Sequence, residues 1–319
     1  MKAIRVHSFG GPEVLKLEDV PEPAVGAGQV RLAVKAAGVN PVEAYIRTGK
    51  YGPQKFPYTP GNDSAGLVES VGQGVTHFKV GDRVYTDKTV TGSYAQLTVC
   101  DADYLHALPD RATFQQGAGV GIAGGTAYRG LFQRGRGLPG ETVLIHGATG
   151  GVGTAAVQLA RAAGMIVVAT SSTEAGRKYA LDQGAHYSAD HDLTERLDEV
   201  KSLTNGKGFD LILEMLANRN LASDLSALAR GGRVVVIGSR GKIEINPRET
   251  MGREADILGL MLFGATPIEH RAIYGALTAA MESGTFRPIV GLELPLAEAS
   301  RAHHLVMEGE QFGKIVLIP

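Results

Sequence analysis

One short segment constrains the fold of this chain more than any other. Residues Glu141–Ala160 read ETVLIHGATGGVGTAAVQLA, which is an apolar β-branched run, a glycine-rich turn and an alanine-rich helical run in immediate succession. Glycines in such a turn permit a tight reversal, close approach of a diphosphate and close packing of the helix on the strand. The segment therefore predicts the strand–turn–helix unit of a dinucleotide-binding α/β domain.

The turn matches a permitted variant of the three-glycine dinucleotide pattern. Gly150 and Gly153 stand at its second and third glycines, whereas Ala148 occupies the first position and follows Gly147. A turn with this composition can also be purely structural. The strand before it and the helix after it favour the dinucleotide interpretation.

The end of the next predicted strand bears on the choice of dinucleotide. An NAD site usually carries an acidic residue about 20 positions further on, where it binds the ribose 2′-hydroxyl. Here the strand ends in the hydroxyl residues Thr170, Ser171 and Ser172, which would not repel a 2′-phosphate. Arg177 and Lys178 follow within a turn of helix and could supply positive charge. NADP(H) is the cofactor we expect, although both cations could equally be solvated helix residues.

The hydrophobic pattern of the chain changes once along its length. From Met1 to about Gly121 it shows short alternating apolar segments broken by Gly and Pro, which indicate antiparallel strands. After Gly125, continuous β-branched strands alternate with helices, which is typical of a doubly wound parallel sheet. The last segments do not extend that series. We therefore expect an α/β protein with one domain at 1–124, completed by 265–319, and a dinucleotide-binding domain at 125–264.

Composition excludes several classes of protein. The 32 Lys and Arg nearly balance the 33 Asp and Glu, so nucleic acid is not an expected partner. The start lacks the apolar stretch of a signal peptide, and the strongest apolar run, Leu258–Gly264, is too short to span a bilayer. We expect no membrane partner and a cytoplasmic location. Cys100 is the only cysteine, which excludes an internal disulfide.

With these segments in place, the whole chain resembles the zeta-crystallin-like NADPH:quinone oxidoreductases, which are zinc-free medium-chain dehydrogenases/reductases. The resemblance rests on five stretches in the same order: GVNPVEAYIRTGKY, PYTPGNDSAG, HGATGGVG, EMLANRNL and GGRVVVIGSRGKIEINPRETM. It implies a GroES-like β domain joined to a Rossmann domain, with the nicotinamide in the cleft between them. The implied reaction is transfer of hydride or electrons from NADPH to a quinone.

The resemblance also implies a set of cofactor contacts. The phosphates would meet Thr149, Gly150, Gly151 and Val152, and the adenosine end would lie near Ser172 and His191. Some relatives carry a 2′-phosphate-binding lysine where this chain has Gly176. From the residues alone, a histidine in a surface loop is the preferred interpretation of His191. The remaining expected contacts line the cofactor further along or surround the nicotinamide: Asn220, Ile237, Gly238, Ser239 and Arg240, then Asn40, Tyr45, Thr126, Leu260, Met261, Leu262 and Phe263.

The same comparison predicts that no metal is bound. Zinc alcohol dehydrogenases place a cysteine where this chain has Asn40 and a His-Glu pair where it has Asn62 and Asp63. A catalytic zinc needs three firm protein ligands, and neither asparagine is one. Without a Lewis acid the acceptor must already be electron-poor, so we expect a small-molecule quinone or conjugated enone.

Three side chains are candidates for the catalytic step. Tyr45 and Tyr51 could hold the acceptor or donate a hydrogen bond, and Arg240 could stabilise developing negative charge. The tyrosines could instead be core aromatics, and Arg240 could be a phosphate or surface contact.

Two other functions remain open from the sequence: an NADPH-dependent alkenal or enone reductase, and an NADPH-binding structural protein of crystallin type with little turnover. The resemblance further implies a homodimer or homotetramer, formed through the edge strand near 256–264.

Overall fold

The structure is a computed structural model that describes residues 1–190, 202–309 and 311–319. Its contacts divide the chain into two compact units, one formed by Met1–Ala123 with Ala276–Pro319 and the other by Gly124–Gly275. The domain limits expected from the sequence stay a prediction. None of the helices in the described part combines the length and apolar character that a membrane-spanning helix requires.

Fifteen strands are present in the described ranges. In chain order they are β1 (Lys2–Arg5), β2 (Lys16–Asp19), β3 (Gln29–Val39), β4 (Ser64–Val71), β5 (Arg83–Thr86), β6 (Leu97–Asp101), β7 (Leu105–Ala107), β8 (Thr142–Ile145), β9 (Ile166–Thr170), β10 (Tyr187–Ala189), β11 (Phe209–Glu214), β12 (Leu228–Val236), β13 (Asp256–Gly259), β14 (Val290–Pro295) and β15 (Lys314–Ile318).

The described helices include short and long segments in both units. They are α1 (Pro41–Arg47), α2 (Phe114–Ala118), α3 (Gly121–Tyr128), α4 (Gly151–Ala162), α5 (Glu174–Asp182), α6 (Ala217–Ala227), α7 (Arg248–Arg253), α8 (Pro267–Ser283) and α9 (Ala299–Glu308). A π-helical turn, Arg129–Arg134, continues α3.

The first unit is built on a mainly antiparallel sheet in the order β14-β15-β3-β4-β5-β7, with β6 also paired to β3. The C-terminal strand β15 pairs antiparallel with β3, so that Val316 lies opposite Gly38. Its other neighbour, β14, runs parallel to it. One apolar core lies beneath these strands and includes Val39, Tyr94 and Leu317. The last residues of the chain therefore belong to the same core as the first.

The second unit is a six-stranded sheet in the order β10-β9-β8-β11-β12-β13, and all of its neighbouring strands are parallel. This is the Rossmann order, in which the strand sequence reverses between β8 and β11. The central strands are buried because helices cover both faces, which explains their continuous apolar sequences. The predicted α/β fold class, a GroES-like β domain with a Rossmann sheet, is confirmed.

Candidate functional site

The glycine-rich turn lies between β8 and α4, at the point where the order of the parallel strands reverses. Gly147 has φ +56°, a left-handed conformation that favours glycine, and its carbonyl accepts from the Gly150 amide at 3.2 Å. Gly150 is the N-cap of α4, and no side chain caps this end of the helix. The first amides of α4 thus lack intrahelical acceptors and form a suitable surface for an anion.

Gly150 and Gly153, the two glycines that match the dinucleotide pattern, have different structural roles. A Cβ on Gly153 would lie 2.2 Å from the Gly147 carbonyl oxygen, so only glycine lets α4 approach the turn this closely. A Cβ on Gly150 would meet only that same oxygen, at 3.7 Å, and would point into open space. Gly150 has φ −77°, which any residue can adopt. Gly153 therefore serves packing, whereas Gly150 leaves space that a diphosphate could fill. These residues fit the cofactor.

The loop after β12 runs beside the end of β11. Ile237 donates its amide to the Glu214 carbonyl at 2.9 Å, and the Ala217 amide donates to the Gly238 carbonyl at 2.9 Å. A Cβ on Gly238 would lie 2.4 Å from the Met215 carbonyl oxygen, so this contact also requires glycine. The structure thereby brings together the loop of 237–240 and the start of α6, which carries Asn220. Their predicted contacts with the cofactor stay a prediction.

The end of β9 offers fewer hydroxyls than its sequence suggests. Thr170 is fully buried and bonded to another side chain, and Ser171 is nearly buried, so Ser172 is the exposed member of the three. A Cβ on Gly176 would lie 2.1 Å from the Ser171 hydroxyl oxygen. A lysine at position 176, as some relatives have, would therefore require the Ser171 side chain to move.

The two cations of α5 differ in their surroundings. The Arg177 guanidinium donates to the Ser171 carbonyl and to Asp190, both at 3.2 Å. Lys178 is exposed. His191, which the sequence places near the adenosine, lies outside the described residues.

The residues predicted around the nicotinamide in the second unit lie on two elements. Thr126 is buried on α3. Leu260 donates its amide to the Val236 carbonyl at 3.0 Å, which continues the edge of the sheet. Beyond it, Leu262 is buried, while Met261 and Phe263 are exposed. Their roles also stay predictions.

The first unit brings the two candidate tyrosines together. The rings of Tyr45 and Tyr51 are almost parallel, with an interplanar angle of 5° and 6.4 Å between their centroids. Tyr45 is half-buried and Tyr51 is 50% exposed, so neither is a core aromatic. Lys50 lies 5.9 Å from the centre of the Tyr45 ring. Flat, parallel aromatic faces of this kind suit a planar ligand.

A buried polar network lies next to these tyrosines in the chain. Asn40 caps α1, and its Nδ2 donates to Glu43 at 3.2 Å and to Asp63 at 3.0 Å. Lys314 on β15 donates to the Asn40 Oδ1 and, at 3.0 Å, to Asp63. The other Asp63 oxygen accepts from the Ile122 amide at 2.8 Å. Asn40 is 3% exposed, and its whole side-chain amide is committed to this network.

Burial raises the pKa of both acidic side chains in this network, Glu43 and Asp63. Burial, together with the neighbouring Asp63 and against Lys314 and Asn40, raises the pKa of Glu43 to about 7. Burial also raises the pKa of Asp63, against the ammonium of Lys314. The two acidic side chains, Glu43 and Asp63, are therefore stabilised by one cation, Lys314, and by hydrogen bonds.

These residues do not fit a zinc ion. Asn40 stands where the zinc alcohol dehydrogenases place a cysteine, and Asp63 belongs to the position of their His-Glu pair, but here both direct an oxygen at the ammonium of Lys314. A dication at the same place would meet that positive charge at close range. Lys314 thus supplies the positive charge that the carboxylate requires.

Sequence reasoning did not identify Lys314, or the buried residues His146, Glu214 and Asp224 in the second unit. Lys314 lies 251 positions from Asp63, so local spacing in the sequence does not predict their pairing. The one available signal was a lysine inside an otherwise apolar C-terminal strand.

Gly150→Val should weaken NADPH binding by about 100-fold or more, which corresponds to about 2.7 kcal/mol. The branched side chain would occupy the space that we assign to the diphosphate, without a clash that disturbs folding. Gly252→Val on α7, where a Cβ would have no neighbouring atom within 4 Å, is the matched control. Dissociation constants from nicotinamide fluorescence, with circular dichroism for the fold, test this; wild-type affinity in a folded Gly150→Val would refute the site.

Lys314→Met should lower the free energy of unfolding by about 3–5 kcal/mol, because it leaves the buried Asp63 without its cation. The double variant Lys314→Met/Asp63→Asn should recover a large part of that loss, since neither charge is then unpaired. Urea denaturation of the three proteins measures both effects.

The matched control for that pair is Lys2→Met, which breaks an ion pair with Asp19 of 2.6 Å at the surface. Both of its side chains are at least half exposed, so the change should be small. A Lys314→Met protein as stable as this control, or a double variant without recovery, would contradict the role of Lys314.

Comparisons with known proteins agree with this geometry. The "Alcohol dehydrogenase GroES-like domain" family matches residues 26–110, and the "Zinc-binding dehydrogenase" family matches residues 151–279. The quinone oxidoreductase of Rattus norvegicus is 48% identical over 100% of this chain and 98% of its own length.

Two solved structures share the fold over the full chain. One is the quinone oxidoreductase of Escherichia coli complexed with NADPH, with a TM-score of 0.91, 30% identity and full coverage of both chains. The other is an NAD-dependent alcohol dehydrogenase, with a TM-score of 0.93, 28% identity and full coverage of both chains. Fold alone therefore does not separate these activities, whereas the sequence identity to the rat protein does. On these grounds the chain belongs to the zeta-crystallin-like quinone oxidoreductase family of zinc-free medium-chain dehydrogenases/reductases.

Proposed function

We propose that this protein is an NADPH-dependent quinone oxidoreductase. The observation that carries the proposal is the uncapped turn at Gly147–Gly153, which lies at the switch point of a Rossmann sheet in a chain 48% identical to a quinone oxidoreductase. NADPH, when bound, supplies the hydride or electrons that reduce the acceptor. The protein's own part is to bind, orient and shield the reactants.

The preference for NADPH over NADH rests on the end of β9. Thr170, Ser171 and Ser172 stand where an NAD site usually has a carboxylate. The nearby Asp190 is paired with Arg177, so its charge is already compensated. Exposed Ser172 and Lys178 then remain as groups that could meet a 2′-phosphate.

The assignment of a quinone as the acceptor follows from the positive charge of Lys314 in the first unit. Because an ammonium stands where zinc dehydrogenases hold their metal, the site has no Lewis acid to polarise an alcohol or ketone. A quinone does not require polarisation by a Lewis acid, since it is electron-poor before it binds. We assign Tyr45 and Tyr51 to hold this flat acceptor, and Arg240 to stabilise negative charge.

The runner-up activity, reduction of alkenals or enones, uses the same cofactor and also needs no metal. The other alternative is a structural protein that binds NADPH without turnover. No specific contact favours either. The cytoplasmic location and the homo-oligomeric state expected from the sequence remain predictions.

Steady-state kinetics with 1,2-naphthoquinone and a simple 2-alkenal should separate these functions. We expect kcat/KM to be about tenfold or more higher for the quinone, a difference of about 1.4 kcal/mol in transition-state binding. NADPH should exceed NADH by a similar factor, and Gly150→Val is the inactive control. Faster turnover of the alkenal would favour the enone reductase, and tight NADPH binding without acceptor-dependent oxidation would favour the structural protein.

Exhaustive chelation should leave the quinone reductase activity unchanged, because no reactive group depends on a metal. The measurement is activity before chelation, after it, and after adding back zinc, with metal content determined at each stage. Loss of activity on chelation that zinc restores would contradict the metal-free site.

A further inference from the structure

A buried cluster of ionisable groups lies directly beneath the glycine turn. His146 follows β8 and immediately precedes Gly147, Glu214 ends β11, and Asp224 projects from α6. All three are at most 3% exposed along their side chains. The ends of two parallel strands and helix α6 thus bring an imidazole and two carboxyl groups together at the switch point of the sheet.

The imidazole has a defined orientation. His146 Nε2 lies 2.9 Å from Asp224 Oδ1 and 3.5 Å from Glu214 Oε2, and its Nδ1 lies 3.1 Å from the hydroxyl of Thr170. Because a carboxylate can only accept, Nε2 carries a hydrogen and donates it to Asp224. Burial opposes the charged imidazolium, but Asp224 and Glu214 outweigh it, so the pKa of His146 is raised.

Two oxygens of the cluster lack a hydrogen-bond partner within the described part of the chain: Glu214 Oε2 and Asp224 Oδ2. One oxygen of each carboxyl group and the imidazole nitrogen all lie within 4.8 Å of one another. An unsatisfied buried oxygen is costly, but a single proton would make one carboxyl a donor and the other its acceptor. It would also neutralise the cluster, because one imidazolium then faces one carboxylate and one carboxylic acid.

We propose that Glu214 and Asp224 share one proton beneath the turn, and that this neutral cluster is a positioning device whose protonation is coupled to NADPH binding. The proposal rests on the proposed function, because it needs NADPH at the turn.

The cluster is connected to the elements assigned to the cofactor. The second oxygen of Glu214 accepts from the Leu216 amide and, at 3.2 Å, from the side chain of Asn220. On the other side, the Thr170 carbonyl accepts from the Ala148 amide of the turn at 3.1 Å. Loss of the shared proton would therefore place a net negative charge next to groups that hold an anionic cofactor.

The electrostatics give the direction of the coupling. Burial, opposed by His146 and assisted by Asp224, raises the pKa of Glu214 to about 7. His146 and Asp224 are the titratable groups acting on it within the described residues. A bound diphosphate would raise this pKa again, since it adds negative charge. NADPH affinity should thus fall as the pH rises through about 7, and binding above that pH should take up a proton.

The cluster is less suited to a metal than to a proton. A buried structural zinc site has four protein ligands, whereas three ligand atoms meet here. Measured metal content nevertheless forms one arm of the test.

Calorimetric titration of NADPH in two buffers of different ionisation enthalpy, at about pH 8, counts the protons taken up. Wild type should take up about half a proton or more beyond Glu214→Gln, whose amide can donate to Asp224 as the acid does. The 2′-phosphate of NADPH contributes equally to both. Between about pH 6 and pH 8.5, wild-type affinity should fall by up to about tenfold more than that of Glu214→Gln. Glu249→Gln on α7 is the matched control, because this carboxylate is partly exposed and lies outside the cluster, and it should behave as wild type.

If Glu214→Gln does not fold, Asp224→Asn should likewise abolish the extra proton uptake. Equal proton uptake and equal pH dependence in wild type and the variant would overturn the proposal, as would one bound metal ion per chain in the purified protein. Failure of the wild type to bind NADPH at any pH would instead refute the proposed function.

Discussion

The close approach of α4 to the end of β8 is the contact on which the rest of the second unit depends. Because Gly153 has no side chain, the first turn of the helix lies against the Gly147 carbonyl. The helix N-terminus then faces the point where the strand order reverses, and the ends of β9, β11 and β12 lie around it. A bulkier residue at this one position would push the helix away and separate the amides from their assigned ligand.

Both units place ionisable groups in their interior and compensate them differently. In the first unit, Lys314 neutralises Asp63 and holds Asn40 at the start of α1. In the second, His146 lies against two carboxyl groups, and a shared proton completes the balance. Burial of uncompensated charge is costly, so each arrangement limits which other cations the interior can accept. The charges of the first unit themselves therefore disfavour a zinc ion beside Asp63.

Those parts of the fold that depend on local sequence patterns could be predicted from the sequence. The strands of the Rossmann sheet are continuous apolar runs, and the turn at Gly147–Gly153 has strict steric needs, so both were predicted correctly. The parallel pairing of β14 with β15 was not predicted, because strand direction within a sheet depends on long-range topology. Likewise, the hydroxyl of Thr170 was expected at the cofactor edge, but it is bonded to His146 inside the protein.

By itself, the sequence determined the fold class, the position of the glycine-rich turn and the presence of asparagine, a poor zinc ligand, at positions 40 and 62. These depend on residue types at short spacing, where backbone sterics and donor chemistry act locally. Only the tertiary structure decided what surrounds each polar group. The pairs Lys314 with Asp63, and His146 with Glu214 and Asp224, join residues far apart in the chain. Their pairing depends on burial and on the order of the strands, and neither is encoded at any single position.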